Sequence, residues 1–97
     1  MISIDDKAFK WFENEFQSAK PFSIRLFPQY AGFGEKNKGY SLAFSLEDPT
    51  ICCEQQERDG ITFYVEFNDK WFFDETDIEI KYNDAIKEIF TVYKEIQ

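Results

Sequence analysis

Apolar residues recur every three to four positions near the amino terminus and every second position through the middle of the chain. Ala8, Phe9, Phe12 and Phe16 form one stripe, which predicts an amphipathic helix over residues 4 to 18. Asp5 is suited to its N-cap, Asp6 adds favourable charge in the first turn, and Ile4 and Phe9 stand at hydrophobic-staple spacing. Lys20-Pro21 is the expected stop, and Trp11 lies off the stripe.

From Phe22 the period becomes two. Phe22, Ile24 and Leu26 fall on one face and Ser23, Arg25 and Phe27 on the other, a strand that ends at Pro28 or lies at a sheet edge. Tyr40, Leu42, Phe44 and Leu46 alternate with Ser41, Ala43, Ser45 and Glu47 in a second strand closed by Asp48-Pro49. Ile51 to Arg58 and Ile61 to Phe67 flank Asp59-Gly60, a dipeptide whose tolerance of positive φ suits a two-residue hairpin. Trp71 to Phe73, then Ile78, Ile80 and Tyr82, predict one or two further strands. Asn83 caps a predicted final helix, because Ile86, Ile89, Phe90, Tyr93 and Ile96 share a helical face. The expected architecture is mainly β with flanking helices: mostly antiparallel sheets, an N-terminal helix and a C-terminal helix, in a single domain spanning residues 1–97.

Composition narrows the functional classes. Twelve Phe, five Tyr and two Trp supply a dense core for 97 residues. Nineteen acidic against 11 basic residues leave a net charge of -8, which opposes nucleic acid and anionic lipid as partners. There is no charged-then-apolar leader and no apolar run near the roughly 18 residues that span a bilayer, so a cytoplasmic protein is expected.

The chain has no histidine, and its two cysteines, Cys52 and Cys53, are adjacent. A vicinal disulfide requires a distorted peptide, and a nucleophilic thiolate lacks a histidine base. Cys52 and Cys53 are the only soft-ligand candidates for iron or an iron-sulfur cluster, and free cysteines are more often simply packed. Asp74, Glu75, Asp77 and Glu79 match no EF-hand spacing and read as solvated acids. The glycine-bearing loop Ala31 to Gly39 lacks a phosphate-binding signature and leads into a strand. Phe33 at its tip, flanked by Gly32 and Gly34, is the candidate partner contact. Arg25 is expected to pair with an acid on the strand face, and of the rings Trp71-Phe72-Phe73 at least one is expected to be exposed.

The order Ile2-Ser3-Ile4-Asp5-Asp6-Lys7-Ala8, Ser23 to Phe27, a glycine-bearing loop, Gly39 to Phe44 and Asp59 to Val65 resembles the HesB/IscA-like family of iron-sulfur biogenesis proteins, over residues 2 to 82. The resemblance implies a non-enzymatic carrier or scaffold with protein partners in iron-sulfur assembly and a homodimer. The family's first ligand cysteine would fall in the loop at Gly32 and Phe33, and its Cys-Gly-Cys pair within residues 83 to 97. Neither stretch contains a cysteine. A cluster would then be held by Cys52 or Cys53 at a subunit interface. The competing reading is a protein-interaction module that keeps the fold without metal and grips a partner through the Ala31 to Gly39 loop and exposed aromatics.

Overall fold

In the computed structural model, which describes residues 1–30 and 39–95, Asp5 accepts a hydrogen bond from the Ala8 amide at 2.7 Å and starts the first helix. This helix, α1 (Asp6–Glu15), buries Ala8, Phe9 and Phe12 and ends earlier than Lys20-Pro21. The remaining elements are the strands β1 (Ile2–Ile4), β2 (Phe22–Tyr30), β3 (Tyr40–Leu46), β4 (Cys52–Arg58), β5 (Ile61–Glu66), β6 (Thr76–Asn83) and β7 (Glu88–Glu95). A 3₁₀ turn over Phe67–Asp69 leads into the short helix α2 (Lys70–Phe73). The mainly β class with flanking helices therefore holds.

The chain divides into two compact units, one formed by Met1–Gln17 and Glu75–Gln97, the other by Ser18–Asp74. In the first, β6 lies between β1, parallel to it, and β7, antiparallel to it. Alternation along β6 buries Thr76, Ile78 and Ile80 and turns Asp77, Glu79 and Lys81 outward; α1 packs against β6 and β7. In the second unit the order is β3-β2-β5-β4. Here β2 runs antiparallel to β3 and parallel to β5, and β4 closes the Asp59-Gly60 hairpin on β5. Asp59 and Gly60 both take positive φ, 49° and 83°, as a two-residue hairpin of this twist requires. Ile24, Leu26, Ile61, Phe63 and Val65 are buried, each worth roughly 1.5–3 kcal/mol of transfer free energy.

Three expectations need correction. Residues 83 to 95 do not form a helix: Asn83↔Glu88 closes a β-hairpin, Lys87 turns with φ 58°, and β7 runs antiparallel along the whole of β6. Thr91, Val92 and Tyr93 suit a pleated strand, and pairing along β6 decides for it against the helical spacing of the apolar residues. Trp71 to Phe73 lie in α2 rather than a strand, with Lys70 reaching Asp74 one turn on at 2.9 Å. Pro28 sits inside β2, which is not an outermost strand. Its pairing with β5 stops at Arg25, so one flank is open where the proline falls.

Candidate functional site

The two cysteines occupy the start of β4, where the pairing with β5 slips between Cys52 and Glu54. Both are free. The Cys52 thiol lies 3.7 Å from Gln55 Oε1, and the Cys53 thiol 3.9 Å from the Glu66 carbonyl. Cys53 is exposed, and what desolvation it has, then the neighbouring Glu54 carboxylate, push its thiol up from the ordinary value. Among the described residues no group of three or more His, Cys, Asp or Glu is placed to hold a metal ion. Three of the four acids of the 74–79 stretch instead meet cations: Asp74 meets Lys70, Asp77 the amino terminus at 3.1 Å, and Glu79 both Lys81 and Lys94. Gly32, Phe33 and Gly34 lie outside the described residues.

The alternation that buries Ile24 and Leu26 sends Arg25 to the other face of β2, opposite Tyr64 on β5. Its Nη2 and Nε donate to Asp69 Oδ2 at 2.7 and 3.2 Å, and Nη1 lies 3.7 Å from Glu47. The Asp69 hydrogen bond pushes the guanidinium pKa further up, and the group also covers the Phe27 ring at 5.0 Å. Glu66, at the end of β5, takes the Thr50 and Ile51 amides on its two oxygens at 2.8 and 2.9 Å, and the Phe67 amide returns to the Ile51 carbonyl. The Tyr64 hydroxyl donates to the Glu47 carbonyl at 2.8 Å. Burial, then the Glu47 and Glu66 charges, push its pKa up to about 12.

Arg25, Glu47, Thr50, Ile51, Glu66 and Phe67 line a concavity of about 320 Å³. Arg25 is held there by Asp69, and Glu66 by the Thr50 and Ile51 amides; the exposed lining residues are Ile51 and Phe67, 69% and 61% exposed, with Glu47, Thr50 and Asn68. Such a surface offers apolar contact around fixed dipoles, which is a binding chemistry. The expectation that Arg25 pairs with an acid is met, but by Asp69 from the 3₁₀ turn. Nothing in the local alternation marks that residue as its partner.

The same unit carries a run of edge-to-face rings. Tyr30 and Tyr40, opposite each other in the β2/β3 register, have centroids 5.4 Å apart; Tyr40 meets Trp71 at 5.3 Å and Trp71 meets Phe72 at 5.9 Å. Phe72 and Phe73 are buried, whereas Tyr30 and Trp71 are 66% and 47% exposed. Of the three consecutive rings, Trp71 is the one at the surface. It is held there between half-buried Tyr40 and buried Phe72, which leaves it less rotamer freedom to lose on binding.

Comparison with known proteins gives two relatives of nearly the same length. The chain is 32% identical over 90 residues to a Bacillus subtilis protein named pyruvate dehydrogenase inhibitor, covering 92% of this chain and 95% of that one. It is 30% identical over 92 residues to an uncharacterized protein of Staphylococcus saprophyticus, covering 91% and 93%. No family model and no solved structure matches the chain. The HesB/IscA-like resemblance is overturned by these relatives. Over nearly the whole chain the similarity runs to a protein named for a different role, and the iron-sulfur biogenesis function and assembly partners fall with it. The layout that suggested them consists of strand starts, a glycine-bearing loop and an Asp-Gly turn, local devices that unrelated β proteins share. Among the described residues, no helix is long and apolar enough to cross a membrane.

Proposed function

We propose, from the fact that this chain belongs to the family of the Bacillus subtilis pyruvate dehydrogenase inhibitor, that it binds a pyruvate dehydrogenase and lowers its activity, acting as a protein ligand and not as a catalyst. The observation that carries this reading is the reach of the similarity: 32% identity extends over 92% of this chain and 95% of the relative. The concavity around Arg25 is compatible with it, because the guanidinium is held by Asp69, Glu66 is held by the Thr50 and Ile51 amides, and Ile51 and Phe67 stand exposed beside them.

The contact surface in this reading is the ring series Tyr30, Tyr40 and Trp71. Tryptophan and tyrosine are enriched among the residues that dominate interface energetics, and Trp71 is exposed yet braced by Tyr40 and Phe72. Titrating the purified chain into a pyruvate dehydrogenase assay tests the function, with NADH formation as the readout. The rate should fall to a plateau, and Trp71→Ala should raise the half-inhibitory concentration by about tenfold or more while leaving the circular dichroism spectrum unchanged. A rate indifferent to a large excess of the chain, together with no binding by calorimetry, overturns the reading.

A further inference from the structure

The sheet of the first unit ends on β7, which among the described residues has one hydrogen-bonded neighbour, β6. An edge strand offers a row of backbone donors and acceptors to any compatible strand, and proteins ordinarily blunt it with proline, charge, a bulge or brevity. β7 has none of these in its centre. It is eight residues long, keeps continuous register with β6, and reads Ile89-Phe90-Thr91-Val92-Tyr93 between Glu88 and Lys94.

Register identifies the occupant. Two copies of one strand pair antiparallel about a two-fold axis perpendicular to the sheet, which preserves the faces, so residues opposite each other differ by an even number of positions. Centred on Thr91, this pairing sets Glu88 opposite the second copy's Lys94, Ile89 opposite Tyr93, and Phe90 opposite Val92. Each of these pairs is then either opposite in charge or aromatic with β-branched, the combinations that stabilise antiparallel ladders. Moving the centre to Phe90 sets Glu88 against Val92, and moving it to Val92 sets Lys94 against Phe90; both leave a charge facing an apolar group.

The exposure of these residues agrees with such a contact. Phe90 is 43% exposed and Glu88 is exposed. The Lys94 side chain is 61% exposed and meets Glu79 at 3.4 Å, with ammonium donors left for a second carboxylate. An unrelated strand would find the same backbone groups but no reason to match this order, whereas a second copy of this chain meets a complementary residue on each side of Thr91.

We infer that β7 is a self-association edge, and that two copies join through it in the Thr91-centred register to make one continuous sheet of order β1-β6-β7-β7-β6-β1. The inference stands apart from the inhibitory reading, because molecular mass reports on the edge and enzyme rate on the ring surface. Sedimentation equilibrium of the full chain over a concentration series tests it. The mass should rise from one copy to two. Glu88→Lys and Lys94→Glu should each weaken association by about tenfold, since each places like charges opposite one another at both ends of the pairing. The double variant Glu88→Lys/Lys94→Glu restores the complement and should return to within about threefold of the unaltered chain. Circular dichroism spectra that match throughout keep folding out of the comparison. A single-copy mass at every concentration, a dimer indifferent to both single reversals, or a double variant as weak as the singles each overturns the inference.

Discussion

β4 and β7 occupy equivalent places, each the outermost strand of its sheet and each bonded to one described neighbour. Between Cys52 and Arg58, β4 presents Cys53, Glu54, Gln55, Gln56 and Glu57 to solvent, and its register slips near the start. β7 presents an apolar centre in continuous register. The polar edge belongs to the unit whose strand β5 is almost wholly buried and which carries the Arg25 concavity. The difference separates two jobs. An edge that must not pair is given charge and a bulge, while an edge left apolar is available to a partner strand.

The sharpest way to break this comparison is at the interior strand behind the guarded edge. Phe63→Ala removes a fully buried ring from β5 and should lower unfolding free energy by about 3–5 kcal/mol. Phe90→Ala, on the open edge, should change it by less than about 1 kcal/mol. Urea denaturation of both variants measures the contrast, and comparable losses would remove the distinction between buried interior and available edge.

Tyr64 offers a pH test of the same unit. Its folded-state pKa, about 12, lies above the unfolded value near 10, so the native protein holds the phenolic proton more tightly. The stability this contributes is fully present below pH 10 and is lost as pH rises from 10 towards 12, by on the order of 2 kcal/mol. In Tyr64→Phe that difference should vanish. Parallel stability curves for the two proteins between pH 9 and 12 would show that the hydroxyl bonded to Glu47 carries no such linkage.

A smaller effect is expected at the floor of the concavity. Asp69→Ala leaves Arg25, with its side chain 28% exposed, without its 2.7 Å partner and should cost about 1–2 kcal/mol. Asp69→Asn keeps one acceptor and should cost less. If the two variants melt together, the charge-assisted bond is not what closes this side of the sheet.

Much of this fold can be read in the sequence, and the failures share a physical origin. The Asp5 cap, the α1 stripe, the alternation of β2 and the Asp59-Gly60 turn are local devices, and each is where its residues predict; β3 is a strand where expected, but neither of its faces is buried. The β7 segment satisfies both periods at once, with Ile86, Ile89, Phe90 and Tyr93 on a helical face and Ile89, Thr91 and Tyr93 on a strand face. Only pairing with β6 decides between them. The parallel pairings β1 with β6 and β2 with β5 join residues distant in sequence, and no turn chemistry announces them. The same holds for the site. An acid partner for Arg25 and an exposed ring among Trp71 to Phe73 follow from composition and spacing, whereas Asp69 as that partner and Trp71 as that ring depend on the 3₁₀ turn and α2. Those four aromatic-rich residues, Lys70 to Phe73, favour a strand by propensity, and packing of Phe72 and Phe73 overrides it.

The last test transfers the character of one edge to the other. Charge pattern alone does not distinguish the two strands: centred on Gln56, two copies of β4 would set Glu54 opposite Arg58, as β7 sets Glu88 opposite Lys94. What β4 lacks is the apolar filling, because Gln55 then faces Glu57. Val92→Lys should silence β7 by placing an ammonium at the centre of its pairing, leaving a single-copy mass. Adding Gln55→Val and Glu57→Val to that variant puts β-branched residues opposite each other on β4, at exposed positions where folding stability should move by less than about 1 kcal/mol. Sedimentation should then show mass returning towards two copies, now through β4. A triple variant that stays at one copy would mean that apolar content does not separate the edges, and that the β4 bulge between Cys52 and Glu54 is the stronger guard.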